Sequence, residues 1–273
     1  MVSVNGKALA EGHFEVLPAD KFDEGLPQMG LGRPLEDCWV VVVKAEFDEN
    51  EEFTGRAREI EDGEIGEIWA TSATLANGYW GLEKETEDTF GNDIAEFLPD
   101  DKTHAIVDGK RFSAGSKWLR TGDCGTYHDG HIFVTGRVKD LIIVDGSNHV
   151  ATDIEATTNT AAAGRLAPKG MAAFAVSAAD VQDSASDRTG RGIDRDSTTE
   201  QLVILAKEVG DAPIADKDAL LNDIRTLIAR RHGLHLADFI VLPENTLPRT
   251  PTGKVKRLAA SEAYAKGDYS LAN

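Results

Sequence analysis

Cysteine is scarce in this chain: 273 residues contain two, Cys38 and Cys124. Neither stands in a C-x-x-C pair or near histidines at zinc-finger spacing, which argues against a disulfide scaffold and a structural zinc site. Long apolar runs are missing too. No stretch approaches the ~18 residues of a spanning helix, and the opening "MVSVNGKALAEGHFEV" lacks the apolar centre of a signal peptide. Positive charge is in deficit. Against 47 Asp and Glu there are 29 Lys and Arg, a formal net charge of −18, which suits neither nucleic acid nor an anionic membrane. The expectation is a soluble cytoplasmic protein with no membrane span and no nucleic-acid partner, whose acidity serves solubility. Familiar catalytic signatures are also absent: no G-x-x-x-x-G-K-[ST] phosphate loop, no G-x-S-x-G elbow, no H-E-x-x-H. "GLGRP" (Gly30–Pro34) is too short for a dinucleotide fingerprint.

What is present suffices for a packed protein. Hydrophobic residues make up 41% of the chain, and the length suits about two domains. The first half reads as β-rich. "WVVVV" (Trp39–Val43) has the unbroken β-branched pattern of a buried strand, and "GEIGEIWATS" (Gly63–Ser72) alternates as a strand covered on one face. "GYWGLEKETEDTF" (Gly78–Phe90) runs from loop into a short charged helix, and Gly91–Lys117 reads as a long surface loop. Two hairpin signals follow, "YHDGHIFV" and "LIIVDGSNHV", with Asp129-Gly130 and Asp145-Gly146 as turns. The polar "GRVKD" between them is a natural domain junction, which predicts domains at 1–138 and 139–273.

Beyond Val150 helices and strands alternate. Thr152–Gly164 reads as a helix capped by Thr152 or Asp153, and Met171–Ala178, Gln201–Val209 and Asp238–Pro243 read as strands. Asp180–Glu200 has loop composition. The clearest helix is capped by Asp216, carries Leu220, Ile224, Leu227 and Ile228 as its apolar stripe, and ends in Arg230, Arg231 and His232 before Gly233. A last short helix is expected around Leu258–Lys266. The fold class is therefore mixed α/β: a β-rich region followed by a small α+β unit.

Three places carry chemistry. In "TGD" the glycine allows a tight turn, and the Asp123 carboxylate could accept two hydrogen bonds from adjacent hydroxyls such as those of a ribose, or satisfy its own turn. Arg137 in "TGR" offers a rigid fork to the same sugar or to a phosphate, or forms a surface ion pair. Lys139 and Asp140 follow on the junction, where a solvated linker is the plain alternative. In "LPRTPTGKVKR", Pro248 and Pro251 stiffen the chain and Gly253 permits a turn that presents Lys254. That lysine could stabilise charge moving between a carboxylate and a phosphate, or belong to a basic surface loop spanning Arg249–Arg257.

The order of "GEIGEIWATSATLANGYWGLEKETEDTF", "WLRTGDCGTYHDGHIFVTGRVKDLIIVDGSNHVATDIEAT" and "LPRTPTGKVKR" resembles the last part of an adenylate-forming enzyme. "DLIIVDGSNHVATDIE" is similar to the fatty acyl-AMP ligases, and "EQLVILAKE" and "IRTLIARRHGL" to their mycolic-acid-pathway members, more than to acyl-CoA synthetases. The resemblance implies the β-rich end of a large adenylation domain followed by a small mobile lid. It implies that Asp123 binds the ribose of ATP, that Arg137 helps hold the nucleotide, that Lys139 is the hinge, and that Lys254 contacts the reacting carboxylate and α-phosphate. It assigns no residue to a metal, although Mg²⁺ accompanies ATP.

The implied partners are a long-chain fatty acid and the acyl carrier protein of a polyketide synthase; a separately encoded N-terminal half enters as a partner under the docking alternative. The family's glycine-rich ATP loop is absent, so the chain is expected to be incomplete for catalysis alone. Ser147, Val150 and Ala151 stand where the family has Arg, Tyr and Pro. A non-catalytic docking module and a piece of a long-chain acyl-CoA synthetase are the alternatives.

Overall fold

The computed structural model describes residues 1–49, 52–112, 117–181, 193–194, 196–209, 216–242 and 246–269. The chain divides into two compact units. One comprises residues 1–4, 12–22 and 27–139, the other residues 5–11, 23–26 and 140–273. Among the described residues no helix is long and apolar enough to cross a membrane.

Two short strands, β1 (Val2–Val4) and β2 (Leu26–Gln28), precede the main sheet. The first unit is built on seven strands: β3 (Gly30–Gly32), β4 (Cys38–Phe47), β5 (Phe53–Glu59), β6 (Gly66–Ser72), β7 (Asp93–Glu96), β10 (Leu119–His128) and β11 (His131–Arg137). Their order across the sheet is β3-β11-β10-β6-β4-β5-β7. Among the described residues the pairings within this sheet are antiparallel except the one between β5 and β7. The valines of β4 are apolar without interruption because both faces of the strand are covered. Val41 and Val43 pack with Trp69, Ile94 and Trp118, and Val42 packs with Ile60, Ile68 and Tyr127 on the opposite side. Helix α2 (Glu83–Phe90) lies between β6 and β7 in the chain.

The stretch expected to be a surface loop, Gly91–Lys117, is only partly one. It contains β7 and two two-residue strands, β8 (Ile106–Val107) and β9 (Lys110–Arg111), and it buries Ile94 and Ala105. The cause is distant in sequence. Glu59, buried at the end of β5, accepts hydrogen bonds from Leu98 N (2.9 Å), Thr103 Oγ1 (2.7 Å) and His104 N (2.8 Å). His104 then stacks flat on Tyr127, ring centres 3.4 Å apart. Burial pushes the Glu59 carboxyl up, but the bonds from His104, Thr103 and Leu98 outweigh it and hold its pKa below the usual value. Glu59→Ala should orphan these donors and cost roughly 2–4 kcal/mol of unfolding free energy, read by urea denaturation. A loss under about 1 kcal/mol would mean that water replaces the carboxylate without penalty.

The second unit starts with the hairpin of β12 (Leu141–Val144) and β13 (Ser147–Val150), paired Leu141 to Val150 through Val144 to Ser147. Helix α3 (Ala151–Ala162) follows with no residue between. The expected cap at Thr152 or Asp153 is therefore corrected. The N-cap is Val150, which supplies no side-chain bond, because the strand runs directly into the helix. Strands β14 (Leu166–Val176), β15 (Gln201–Glu208) and β16 (Leu236–Leu242) form a three-stranded sheet, antiparallel between β14 and β15 and parallel between β15 and β16. Helix α4 (Lys217–His232) starts where expected: Asp216 accepts from Ala219 N at 2.8 Å. Leu220, Ile224 and Ile228, one helical turn apart, pack with Ile154 of α3 against Met171, Ala173 and Ile204. Helix α5 (Arg257–Ala265) contributes Ala260 and Tyr264 to the core on the opposite side of that sheet, with Phe174, Val203 and Leu205.

The expected boundary at residue 138 omits two exchanges of chain, residues 5–11 and 23–26, which group with the second unit. Helix α1 (Gly6–Ala10), capped by Asn5, belongs with the second unit. Its first residue has no side chain, so it approaches the end of α4 closely: a β-carbon on Gly6 would lie 2.2 Å from the Arg231 carbonyl oxygen. The expected loop at Asp180–Glu200 lies largely outside the described residues, as does Pro243 at the end of the expected third strand.

Candidate functional site

In the first unit the site is a bulge beside a hairpin. β10 is in register with β6 at Leu119 and Arg120, loses register through Thr121–Asp123, and resumes at Cys124. Gly122, at φ 71°, makes the bulge possible. Thr121 fastens it: its hydroxyl donates to Ile68 O at 2.7 Å and accepts from Asp123 N at 3.1 Å. Just before the bulge Arg120 is held in place by Glu67, with Nε at 3.1 Å and Nη2 at 3.0 Å from Oε2. Its guanidinium lies over the Phe53 ring, 3.9 Å from the centroid.

Asp123 and Arg137 face each other across the β10–β11 pairing. Arg137 Nε donates to Asp123 Oδ1 at 2.8 Å. Among the described residues no hydrogen bond reaches Asp123 Oδ2. The pair is open to solvent, with side-chain exposures of 65% for Arg137 and 31% for Asp123. An ion pair this exposed contributes little to folding. Arg137→Gln should change the unfolding free energy by less than about 1 kcal/mol, and a larger loss in urea denaturation would make the pair structural. Cys124, beside Asp123, is buried, and burial together with the charges of Glu67 and Asp123 pushes its thiol up to about 11. It stays protonated near neutral pH and serves as a small core residue.

Lys139 is exposed in the 3₁₀ turn Val138–Asp140, where the first unit ends.

In the second unit, Lys254 sits on a closed turn. Gly253 N donates to Thr250 O (2.9 Å), Thr250 N to Lys254 O (2.8 Å), and Lys254 N to Thr250 Oγ1 (3.1 Å). Gly253 adopts φ 82°, which a β-carbon would strain. Arg249 fixes the turn to the body of the unit, with Nη1 donating to Gly253 O at 2.7 Å and Nη2 to Lys169 O at 2.8 Å. The Lys254 backbone is thus fixed while its side chain is exposed. The expected basic patch over Arg249–Arg257 is narrower than its charge count. Arg249 is engaged with carbonyls, and Arg257 binds Glu155 and Asp140. Lys254 and Lys256 remain as its exposed cations. The structural roles of Arg249 and Arg257 were missed in the sequence, although both lie inside "LPRTPTGKVKR". Their partners are up to 117 positions away.

Both units have the fold of the adenylate-forming enzymes. A solved structure from a study of fatty acyl-adenylate ligases from E. coli and L. pneumophila superposes with TM-score 0.61 at 21% identity, over 98% of this chain and 38% of that one. In sequence the chain belongs with the fatty acyl-AMP ligases. It is 34% identical over 269 residues to the long-chain-fatty-acid–AMP ligase FadD32 of Mycobacterium marinum and, equally, to that of Mycolicibacterium smegmatis. Those alignments take in 98% of this chain and 40% of each relative, so the chain spans well under half the length of the ligases it matches. No protein-family model matches it.

Proposed function

We propose that this chain supplies the C-terminal portion of a ligase that activates a long-chain fatty acid as its acyl-adenylate. The observation that carries this reading is the pairing of two rigid supports: a bulge presenting a carboxylate beside a guanidinium, and, on a separate compact unit, a closed turn presenting an exposed lysine. The relationship to long-chain fatty acid–AMP ligases supports the substrate class.

In this reading Asp123 accepts hydrogen bonds from the ribose hydroxyls of ATP through the oxygen that Arg137 leaves open. Arg137 orients that carboxylate and adds positive charge for the nucleotide. Mg²⁺ enters with the ATP phosphates, and no residue of this chain is assigned to it. A fatty-acid carboxylate oxygen attacks the α-phosphorus, the bond from that phosphorus to the oxygen bridging to the β-phosphate breaks, and pyrophosphate leaves. Lys254, carried by the second unit turning about Lys139, lies against the negative charge that builds on the carboxylate and α-phosphate oxygens. The phosphopantetheine thiol of an acyl carrier protein serving a polyketide synthase then attacks the acyl carbonyl and gives up its proton, the bond from that carbon to the phosphate oxygen breaks, and AMP leaves; the reaction takes place in the cytoplasm, with the remaining part of the catalytic apparatus supplied by further polypeptide.

ATP–pyrophosphate exchange with a long-chain acid tests the reading. Exchange is expected only when the chain is joined to, or mixed with, a partner region bearing the phosphate loop, and the acyl product should reach a carrier protein rather than CoA. Robust exchange by the chain alone would remove the claim of incompleteness. An acyl-CoA product would make it an acyl-CoA synthetase portion, and carrier binding with no exchange in any combination would make it a docking module.

A further inference from the structure

We propose that Arg257 is a positioning residue that latches the chain just after the Lys139 pivot to the element carrying Lys254. The inference rests on the hinge reading of Lys139 given above, but the contacts themselves lie within the second unit. Asp140 is the first residue of that unit after the pivot and closes the turn Val138–Asp140. Its Oδ2 accepts from Arg257 Nη1 at 3.2 Å. The same guanidinium grips Glu155 of α3 at two points, Nε to Oε1 at 2.8 Å and Nη2 to Oε2 at 2.9 Å. Glu155 Oε1 also accepts from Ala173 N of β14 at 3.1 Å. Arg257 opens α5, directly after the turn that carries Lys254. One planar fork therefore ties four segments together: the pivot, α3, the sheet and the start of α5. A lysine ammonium lacks the fork to do this.

The two carboxylates are not equivalent. Glu155 makes the two-point contact and is 16% exposed, whereas Asp140 makes a single longer one and is 36% exposed. Arg257 thus stays seated on Glu155, and the bond to Asp140 is the one that can be made and broken. While it is made, rotation is confined to Val138 and Lys139, both exposed. A turn at the pivot then moves the Lys254 loop as a rigid piece instead of being absorbed by slack chain after Lys139.

Amide hydrogen exchange on the whole chain, followed by mass spectrometry of peptides covering 138–142, tests the latch. After correction for intrinsic rates, Asp140→Asn should speed exchange there about three- to tenfold, with β14, β15 and the thermal midpoint unchanged. Arg257→Lys should speed the same amides, and Asp140→Glu, which keeps the charge, should restore protection. Unchanged exchange in both Asp140→Asn and Arg257→Lys overturns the latch and leaves the ligase reading untouched. Acceleration spread equally over β14 and β15 overturns it as well, because the cluster would then be ordinary packing. If the latch loosens as expected while an adenylation-competent assembly keeps wild-type rates of adenylation and transfer, the latch stands and the hinge role of Lys139 falls.

Discussion

Lys254→Ala is expected to slow acyl-adenylate formation by about 10²–10³, the equivalent of about 3–4 kcal/mol of transition-state stabilisation, in an adenylation-competent assembly. The expectation follows from where the structure spends its bonds. The turn Thr250–Lys254 is closed by three hydrogen bonds and anchored to Lys169 by Arg249, while the Lys254 side chain is exposed. Among the described residues no ion pair or side-chain hydrogen bond of Lys254 is present, so its removal costs the fold nothing that the structure shows. A rigid support for an unengaged charge suits transition-state stabilisation: the turn fixes where the side chain starts, and among the described residues the ammonium has no other partner to leave when negative charge develops. The loss should fall on kcat for adenylation with the KM for ATP changed little, if the ribose contact is the one proposed for Asp123. Transfer of the acyl group from pre-formed acyl-adenylate should stay within about threefold of wild type, because that step has no α-phosphate attack to stabilise. Lys254→Arg keeps charge but changes its shape and reach, and should recover only part of the rate. Pyrophosphate exchange measured beside the thermal midpoint decides it. Near-normal adenylation in Lys254→Ala would remove this lysine from the chemistry.

Local features of the fold were readable and distant ones were not. Asp129 and Asp145 sit at φ 51°, each followed by a glycine at positive φ, so both hairpins follow from two adjacent residues. The α4 stripe of Leu220, Ile224 and Ile228 is a periodicity, and its Asp216 cap and Gly233 stop are local too. The TGD bulge shows in sequence only as a glycine before an acid. The Asp-Gly turn sets Gly125–His128 against His131–Val134, but Asp123 meets Arg137 only because the register shifts by one residue between Cys124 and Gly125, a step that no sequence signal announces. Glu59 could not be read this way. It sits at the end of an ordinary strand, and its three donors lie 39 to 45 positions on. The same holds for Arg257, whose two acidic partners are 102 and 117 positions back. Helix α1 joins the second unit through a contact between Gly6 and Arg231 that no composition shift announces. Sequence pattern shows where a residue can turn or bury itself. It does not show which of 47 acids a given arginine will meet.

Acidification should destabilise the second unit well above the pH at which most carboxylates titrate, through His149 and His232. Both are buried. Burial lowers His149 to about 4. Burial, then the neighbouring charges of His149 and Arg231, lower His232 to about 3. His232 closes α4, where the helix end would favour a cation, yet its Nε2 is instead paired with Thr157 Oγ1 of α3 at 2.8 Å. Because the folded pKa values lie below the unfolded value of about 6.5, the unfolded chain binds more protons in between. The contribution is therefore complete above about pH 6.5 and is lost as pH falls from there toward the folded values, at up to about 1.4 kcal/mol per pH unit for each histidine. From pH 7 to 5 the two together should remove roughly 3 kcal/mol. Asp238, whose carboxyl is raised by burial against the bonds from Tyr264 and Phe239, acts in the opposite direction nearer its own titration, and Glu59, held below its usual value, gives up its stabilisation as pH falls through the ordinary carboxylate range toward its lower folded value. Urea unfolding at pH 7, 6 and 5 should show the slope, and the double variant His149→Gln, His232→Gln should flatten it whatever its stability at pH 7. A wild-type unfolding free energy that stays level between pH 7 and 5 would mean that these histidines are protonated within the folded unit, and that the buried Thr157–His232 contact is not the neutral one described here.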